Sequence, residues 1–298
     1  MLDCFAWIPR TIRALALLSG FIASANAAIV DIQPGDYVAL TPGDYALTGF
    51  FYQRSASGPF KAGDRTGSAR VKSEVAAVRL NGFREVAGMP WAWSVVPLWS
   101  KARLAEGIMP AVFGQDAGGS GDLRLSATLW PVADRERGHY LGLTVAIFEP
   151  TGNYSNQRIL NIGDNRRKLA IVAGWSSPLT NTLRLELIPE LAFYGTNNDY
   201  LGGRRRTQDE TLALTSYLRW STALQWEIYA GAQLNSGGES AINNLGQNDV
   251  ARNTRLMLGV THILDRDTLV SARYGADTHV ENGFRLDNEW QLRIGRRF

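Results

Sequence analysis

Apolar and polar residues alternate along much of this chain. Leu224, Trp226, Ile228, Ala230, Ala232 and Leu234 are interleaved with Gln225, Glu227, Tyr229, Gly231 and Gln233. Leu183, Leu185, Leu187 and Leu191 alternate with Arg184, Glu186, Ile188 and Glu190, and Trp290, Leu292 and Ile294 with Glu289, Gln291 and Arg293. A period of two describes an extended strand with one apolar and one polar face. About twelve such segments are long enough for the roughly 9–11 residues with which a tilted strand crosses hydrocarbon. They lie near 45–54, 70–83, 90–101, 121–132, 139–148, 167–177, 182–194, 210–220, 223–235, 252–263, 268–279 and 285–298. In the second the alternation changes phase at Ala76-Ala77, and the third is apolar on both faces.

The connections alternate in length. Short ones include 178–181, 221–222 and 264–267, and long, polar, glycine-rich ones run near 55–69, 102–120, 149–166, 195–209 and 236–251. Short periplasmic turns opposite longer extracellular loops are the pattern of an outer-membrane β-barrel. The predicted fold is therefore all-β: a transmembrane antiparallel barrel of about twelve strands over residues 45–298. An even strand count returns the C-terminus to the periplasmic side, where Phe298 continues the apolar face of the last strand. We read Phe298 as part of the signal by which the C-terminal strand meets the barrel-assembly machinery. A periplasmic sandwich, the competing fold, predicts turns at regular spacing without this alternation. Trp99, Trp130, Tyr140, Phe148, Trp175, Phe193, Trp220 and Trp290 fall near strand ends, as an interfacial girdle places its aromatics.

The start of the chain decides its compartment. Arg10 and Arg13 precede the apolar run 14–23, and Ala25-Asn26-Ala27 follows with a small-x-small pattern. That order of parts predicts a cleaved signal peptide over 1–27, with Ala28 opening the mature chain. The apolar run is about half the ~20 residues that a spanning helix needs. Cys4, the single cysteine, lies inside it, which removes disulfides and thiolate sites from the mature protein. With 31 Lys+Arg against 28 Asp+Glu, the chain is nearly neutral and shows no basic face for nucleic acid. Residues 28–44 precede the strand pattern. They carry Pro34-Gly35-Asp36-Tyr37 echoed by Pro42-Gly43-Asp44-Tyr45, two turn units that suit either a periplasmic lead-in or a plug in the barrel mouth.

If the apolar face meets lipid, the charged face lines the lumen, because a charge facing lipid at mid-depth costs roughly 2–4 kcal/mol. This phase sends Arg184, Glu186, Glu190, Arg219, Glu227, Tyr229, Arg255, Arg273 and Arg293 inward, together with Arg124, Lys168, Arg297 and Glu289. Two readings stand side by side. The charges neutralise one another and fill the interior, or a positive surplus draws anionic solutes such as aromatic carboxylates through a pore. A structural or surface-binding barrel with a sealed lumen is the alternative to a channel. Long loops carrying Arg204-Arg205-Arg206 and Asn243-Asn244 suit anionic lipopolysaccharide in the outer-membrane lipid. His139, His262 and His279 are the three histidines; no Gly-x-Ser-x-Gly elbow or phosphate-binding loop accompanies them. No enzyme activity, cofactor or metal is expected.

Several segments together resemble one family, the outer-membrane transporters of the phenol-degradation meta-pathway (MetA-pathway-like). They are Pro34-Gly35-Asp36-Tyr37, Gly121-Asp122-Leu123, 137–143 (Arg-Gly-His-Tyr-Leu-Gly-Leu), 148–152 (Phe-Glu-Pro-Thr-Gly), 163–166 (Gly-Asp-Asn-Arg), and the tail 280–284 with Arg296-Arg297-Phe298. The resemblance spans almost the whole chain after the signal. It implies passive passage of small aromatic or hydrophobic molecules across the outer membrane and brings no catalytic residues. Met109, Phe113, Trp91, Trp93 and Trp99 are candidate linings for such a molecule.

Overall fold

The computed structural model describes residues 29–106 and 116–298. The predicted signal segment, Ala28, Met109 and Phe113 lie outside the described residues. In chain order the strands are β1 (Tyr45–Lys61), β2 (Asp64–Val86), β3 (Met89–Val96), β4 (Leu98–Glu106), β5 (Asp116–Ser120) and β6 (Leu123–Asp134). Then come β7 (His139–Glu149), β8 (Lys168–Pro178), β9 (Leu183–Tyr194), β10 (Asn197–Tyr200), β11 (Arg204–Gln208) and β12 (Thr211–Ser221). The rest are β13 (Trp226–Gly237), β14 (Ser240–Ile242), β15 (Leu245–Gly246), β16 (Ala251–Ile263), β17 (Thr268–Val280) and β18 (Gly283–Arg297).

Twelve antiparallel staves close into a barrel. β3 and β4 are one stave broken at Pro97, and β5 and β6 are another broken at Gly121-Asp122. Proline has no N–H to give to the ladder; the pairing with β2 keeps its register across it, from Leu80 opposite Val95 to Ala77 opposite Leu98, while the pairing with the β5–β6 stave slips by one residue. β1 pairs with both β2 and β18, which leaves the ring without an edge. At the seam the Tyr45 N–H donates to the Phe298 carbonyl at 2.8 Å and the Phe298 N–H donates back at 3.0 Å. Their rings stack with centroids 6.0 Å apart. β10, β11, β14 and β15 form a separate four-stranded sheet from two extracellular loops.

Trp99, Trp175, Phe193, Trp220 and Trp290 face outward and are exposed, as expected of a girdle. Trp130, Tyr140 and Phe148 do not; they are buried and point into the lumen. The segments 55–69 and 102–120 are also not loops throughout. β1 and β2 run on as a hairpin to a turn at Ala62-Gly63, and β4 and β5 stand beside it. This continuation explains the change of phase in the second strand. Lys72, Glu74, Ala76 and Val78 share the outward face throughout. Below Ala76 that face is apolar, as contact with hydrocarbon requires; above it, it is charged. The inward residues Val71, Ala102, Leu104 and Ala117 pack there on Ile159 and Leu160, which fold in from the extracellular loop 150–167. The geometry keeps its phase and the hydrophobicity inverts.

Candidate lumenal site

Residues 29–44 run inside the barrel, and their own alternation decides how. Val30, Ile32 and Tyr37 turn to an apolar sector of the wall built by Ala146, Ala170, Val172, Ile188 and Ala192. Asp31 and Asp36 turn to a charged sector. Asp31 pairs with Arg273 at 3.3 Å and accepts the Tyr52 hydroxyl. Asp36 takes both arms of Arg79 at 2.7 Å each and accepts its own turn's Gln33 N–H at 2.9 Å. A bidentate guanidinium–carboxylate pair is both strong and directional, so it fixes the turn as well as neutralising it.

The turn Pro34-Gly35-Asp36-Tyr37 is a docking unit. Gly35 has φ +87°, a conformation that L side chains rarely adopt, and its N–H donates to Glu186 at 3.1 Å. Tyr37 then lies over Gly142 and Gly174, where a Cβ on either glycine would overlap its ring. Its hydroxyl meets Thr144 at 3.1 Å and its carbonyl accepts the Trp130 indole N–H at 2.9 Å. The second unit, Pro42-Gly43-Asp44-Tyr45, instead joins the segment to the seam: the Gly43 N–H donates to the Phe83 carbonyl, and Asp44 meets Arg297 at 3.6 Å.

The predicted lumenal residues divide by what they hold. Glu190 accepts the backbone N–H groups of Ile29 and Val30 at 2.6 and 3.2 Å. Arg219 bridges Glu186 at 2.6 Å and Glu227 at 2.7 Å. Arg273 meets Glu289 at 2.9 Å, and Arg54 meets the same carboxylate at 2.6 Å. Arg255 pairs with Asp277 at 2.8 Å. Tyr229 packs edge-on against Tyr217, whose hydroxyl donates to the Ile32 carbonyl. Arg184 donates to the Gly138 carbonyl at the periplasmic rim. Arg293 faces the lumen and makes no hydrogen bond or ion pair among the described residues. Most of the charges that periodicity sends inward are thus engaged with one another or with the N-terminal segment.

Three features were missed by the sequence reading. Arg79 and Asp36 are separated by 43 positions, and Asp36 looked like a turn residue. Inward glycines at Gly142 and Gly174 carried a readable signal, since a strand glycine marks a close approach. Ile159-Leu160 was a legible apolar pair within a polar loop. At the extracellular end Asp164 gathers Arg166 at 3.0 Å, Lys168 at 3.5 Å and Arg206 at 3.9 Å. Burial raises its pKa, but those three cations win and hold its carboxyl well below the usual carboxylate range. Arg206 of the arginine run is therefore buried rather than offered to solvent.

Beside the N-terminal segment lies a cavity of about 470 Å³, lined by Phe83, Trp130, Arg79, Arg124 and Arg293 and reaching the periplasmic turn 265–268. Among the described residues no group of three or more His, Cys, Asp or Glu could hold a metal ion. His139 accepts or donates one hydrogen bond with Ser177 at 2.8 Å, at the periplasmic rim.

Residues 55–293 match the model of the family described as "Putative MetA-pathway of phenol degradation". An outer-membrane channel from Pseudomonas putida F1 is similar at 25% identity and TM-score 0.85, over 90% of this chain and all of that one. The translocator domain of the autotransporter NalP from Neisseria meningitidis shares the fold at 12% identity and TM-score 0.52, over 87% of this chain and 90% of that one. No curated protein matches the sequence. Barrel and neighbours together place the protein in the outer membrane.

Proposed function

Because the chain belongs to the MetA-pathway family of phenol degradation, we propose that it is an outer-membrane channel for passive passage of small organic molecules, aromatic or hydrophobic ones above all. The observation that carries this reading is the cavity along the N-terminal segment, which leaves space inside a barrel whose centre is otherwise packed. Its volume falls in the ~300–1,000 Å³ range typical of small-molecule sites. In this reading residues 29–44 act as a plug, and Glu186, Glu190, Arg219 and Arg273 hold it in place. The similarity to the Pseudomonas channel over its full length supports the same role.

The test is flux through the refolded mature protein in liposomes and planar bilayers. Small, steady conductance steps are expected, with uptake of phenol-sized solutes above that of protein-free vesicles. A variant lacking 29–41 should conduct several-fold more. Silence from both proteins, in a barrel that inserts and resists proteolysis, would overturn the channel reading. The inward fold of Ile159 and Leu160 at the extracellular mouth would then favour a sealed, surface-binding barrel. For the lipid partner, we place the contact on the outward face of β2 and β4. There Lys72, Lys101 and Arg103 stand exposed just above Trp99, at the height of anionic headgroups.

A further inference from the structure

Resting on the channel reading, we propose that the lumenal chamber selects carboxylate anions with an aromatic or apolar body, and that Arg124 and Arg293 are the residues that hold the carboxylate. The charges in the chamber do not balance. Seven guanidiniums and five carboxylates line it. The deep carboxylates are all engaged: Asp36 by Arg79, Asp31 by Arg273 and Tyr52, and Glu227 by Arg219. Arg297 is held by Asp44 and Asp267, and Arg266 and Arg296 are exposed at the periplasmic end; Arg124 and Arg293 are the lumenal guanidiniums left over. Each has a buried Nε with no hydrogen-bond partner, and neither forms an ion pair among the described residues. A buried guanidinium without a counter-ion is costly, and a fork of N–H donors facing open space is the geometry that takes a carboxylate with two parallel bonds.

The register puts these groups on one side of the lumen. Phe50 lies opposite Arg293 across the β1–β18 pair, and Thr48 lies opposite Arg79 across the β1–β2 pair. On the far side of β2, β3 brings Val96 opposite Arg124 of β6. The Arg79–Asp36 pair therefore sits between the two unpaired cations. It offers them one already committed carboxylate. Around them the wall is apolar and aromatic: Phe83 and Trp130 have ring centroids 6.3 Å apart, and Ala92 is beside them. The Ser94 hydroxyl, on the strand between Arg79 and Arg124, is also buried without a partner. Two unpaired guanidiniums flanking Arg79, a free hydroxyl and a tilted aromatic pair suit a ring or short chain that ends in a carboxylate. Neutral phenols would leave both cations unpaired.

Equilibrium dialysis against the refolded full mature barrel in lipid vesicles tests this with three probes: benzoate, the neutral benzamide and the ringless acetate. Saturable benzoate binding is expected, at least tenfold tighter than either other probe. Arg124→Gln and Arg293→Gln should each weaken it about tenfold, and Arg124→Lys, which keeps the charge, should weaken it less than Arg124→Gln. Heat-modifiable migration on a gel verifies that each variant folds. Equal binding of benzamide and benzoate, or unchanged benzoate binding in both Gln variants, would overturn the assignment. Flux is measured separately on the same vesicles. Benzoate binding without flux would sink the channel reading and leave this site standing, and flux indifferent to charge would do the reverse.

Discussion

Single side chains decide whether the lumen is open or filled. Tyr37 occupies a hollow that exists because residues 142 and 174 have no Cβ. Gly174→Ala should force the ring out at a cost of about 1–3 kcal/mol, the usual penalty for overpacking. Limited proteolysis should then cut within 29–44, and conductance should rise; a segment as protected as in the parent would show that Tyr37 does not anchor it. Arg273 is a different kind of anchor. It is shared by Glu289 and Asp31: its removal leaves the half-buried Asp31 without its cation and the buried Glu289 with Arg54 alone. Breaking a buried pair from one side costs about 3–5 kcal/mol. Arg273→Met should lower the urea midpoint accordingly, whereas Arg184→Met at the periplasmic rim should barely move it. At the extracellular end the sign of the pH effect follows from Asp164. Its folded pKa lies below the unfolded value, so its stabilisation is present above the ordinary carboxylate range of about 4 and fades as pH falls further below it. Hydrogen exchange of the loop around 150–167 should stay slow at neutral pH and speed up only in strong acid, and Asp164→Asn should make it fast at pH 7.

At the level of elements, the seam between β1 and β18 carries most consequence. Closing the ring satisfies the backbone of two strands that would otherwise expose polar edges to lipid. Tyr45 and Phe298 finish that closure with two backbone hydrogen bonds and a ring stack. Deleting Phe298 should slow folding into vesicles and reduce the folded yield several-fold, while Phe298→Trp, which keeps the aromatic stack, should fold at close to the parent rate. Equal yields from the deletion and the parent would remove Phe298 from the assembly step. The long β1–β2 hairpin illustrates a second point. A strand that leaves the membrane keeps its geometry and exchanges its polar face for its apolar one, so a change of hydrophobic phase marks the water interface rather than a strand end.

For the whole molecule, the lumen is two-sided, and the N-terminal segment is patterned to match. Its apolar residues meet β7 to β9, and its acids meet β1, β2 and β17. This arrangement accounts for a barrel that is rich in inward charge yet packed at its centre. It also leaves a cationic chamber on one side only. A channel of this design should conduct weakly and prefer anions. Replacing Arg124 and Arg293 together should shift the reversal potential toward cation selectivity, whereas replacing Arg255, already held by Asp277, should shift it less. Equal shifts would mean that pairing does not govern selectivity.

The alternation of residues by itself determined the class of fold, the twelve staves and the inward direction of the charged side chains, though not the inward place of Trp130, Tyr140 and Phe148. These are local properties: a period of two and a run of turn residues hold wherever the strand is placed. Only the tertiary structure decided what the inward groups do. Ile29 reaches Glu190 across 161 positions, and Arg273 reaches Gln33 across 240. Such partners are chosen by barrel closure and by the path of the N-terminal segment, neither of which leaves a period in the chain. The same closure pairs Arg219 and Arg273 and leaves Arg124 and Arg293 without partners among the described residues, although all four are arginines on the same polar face of their strands.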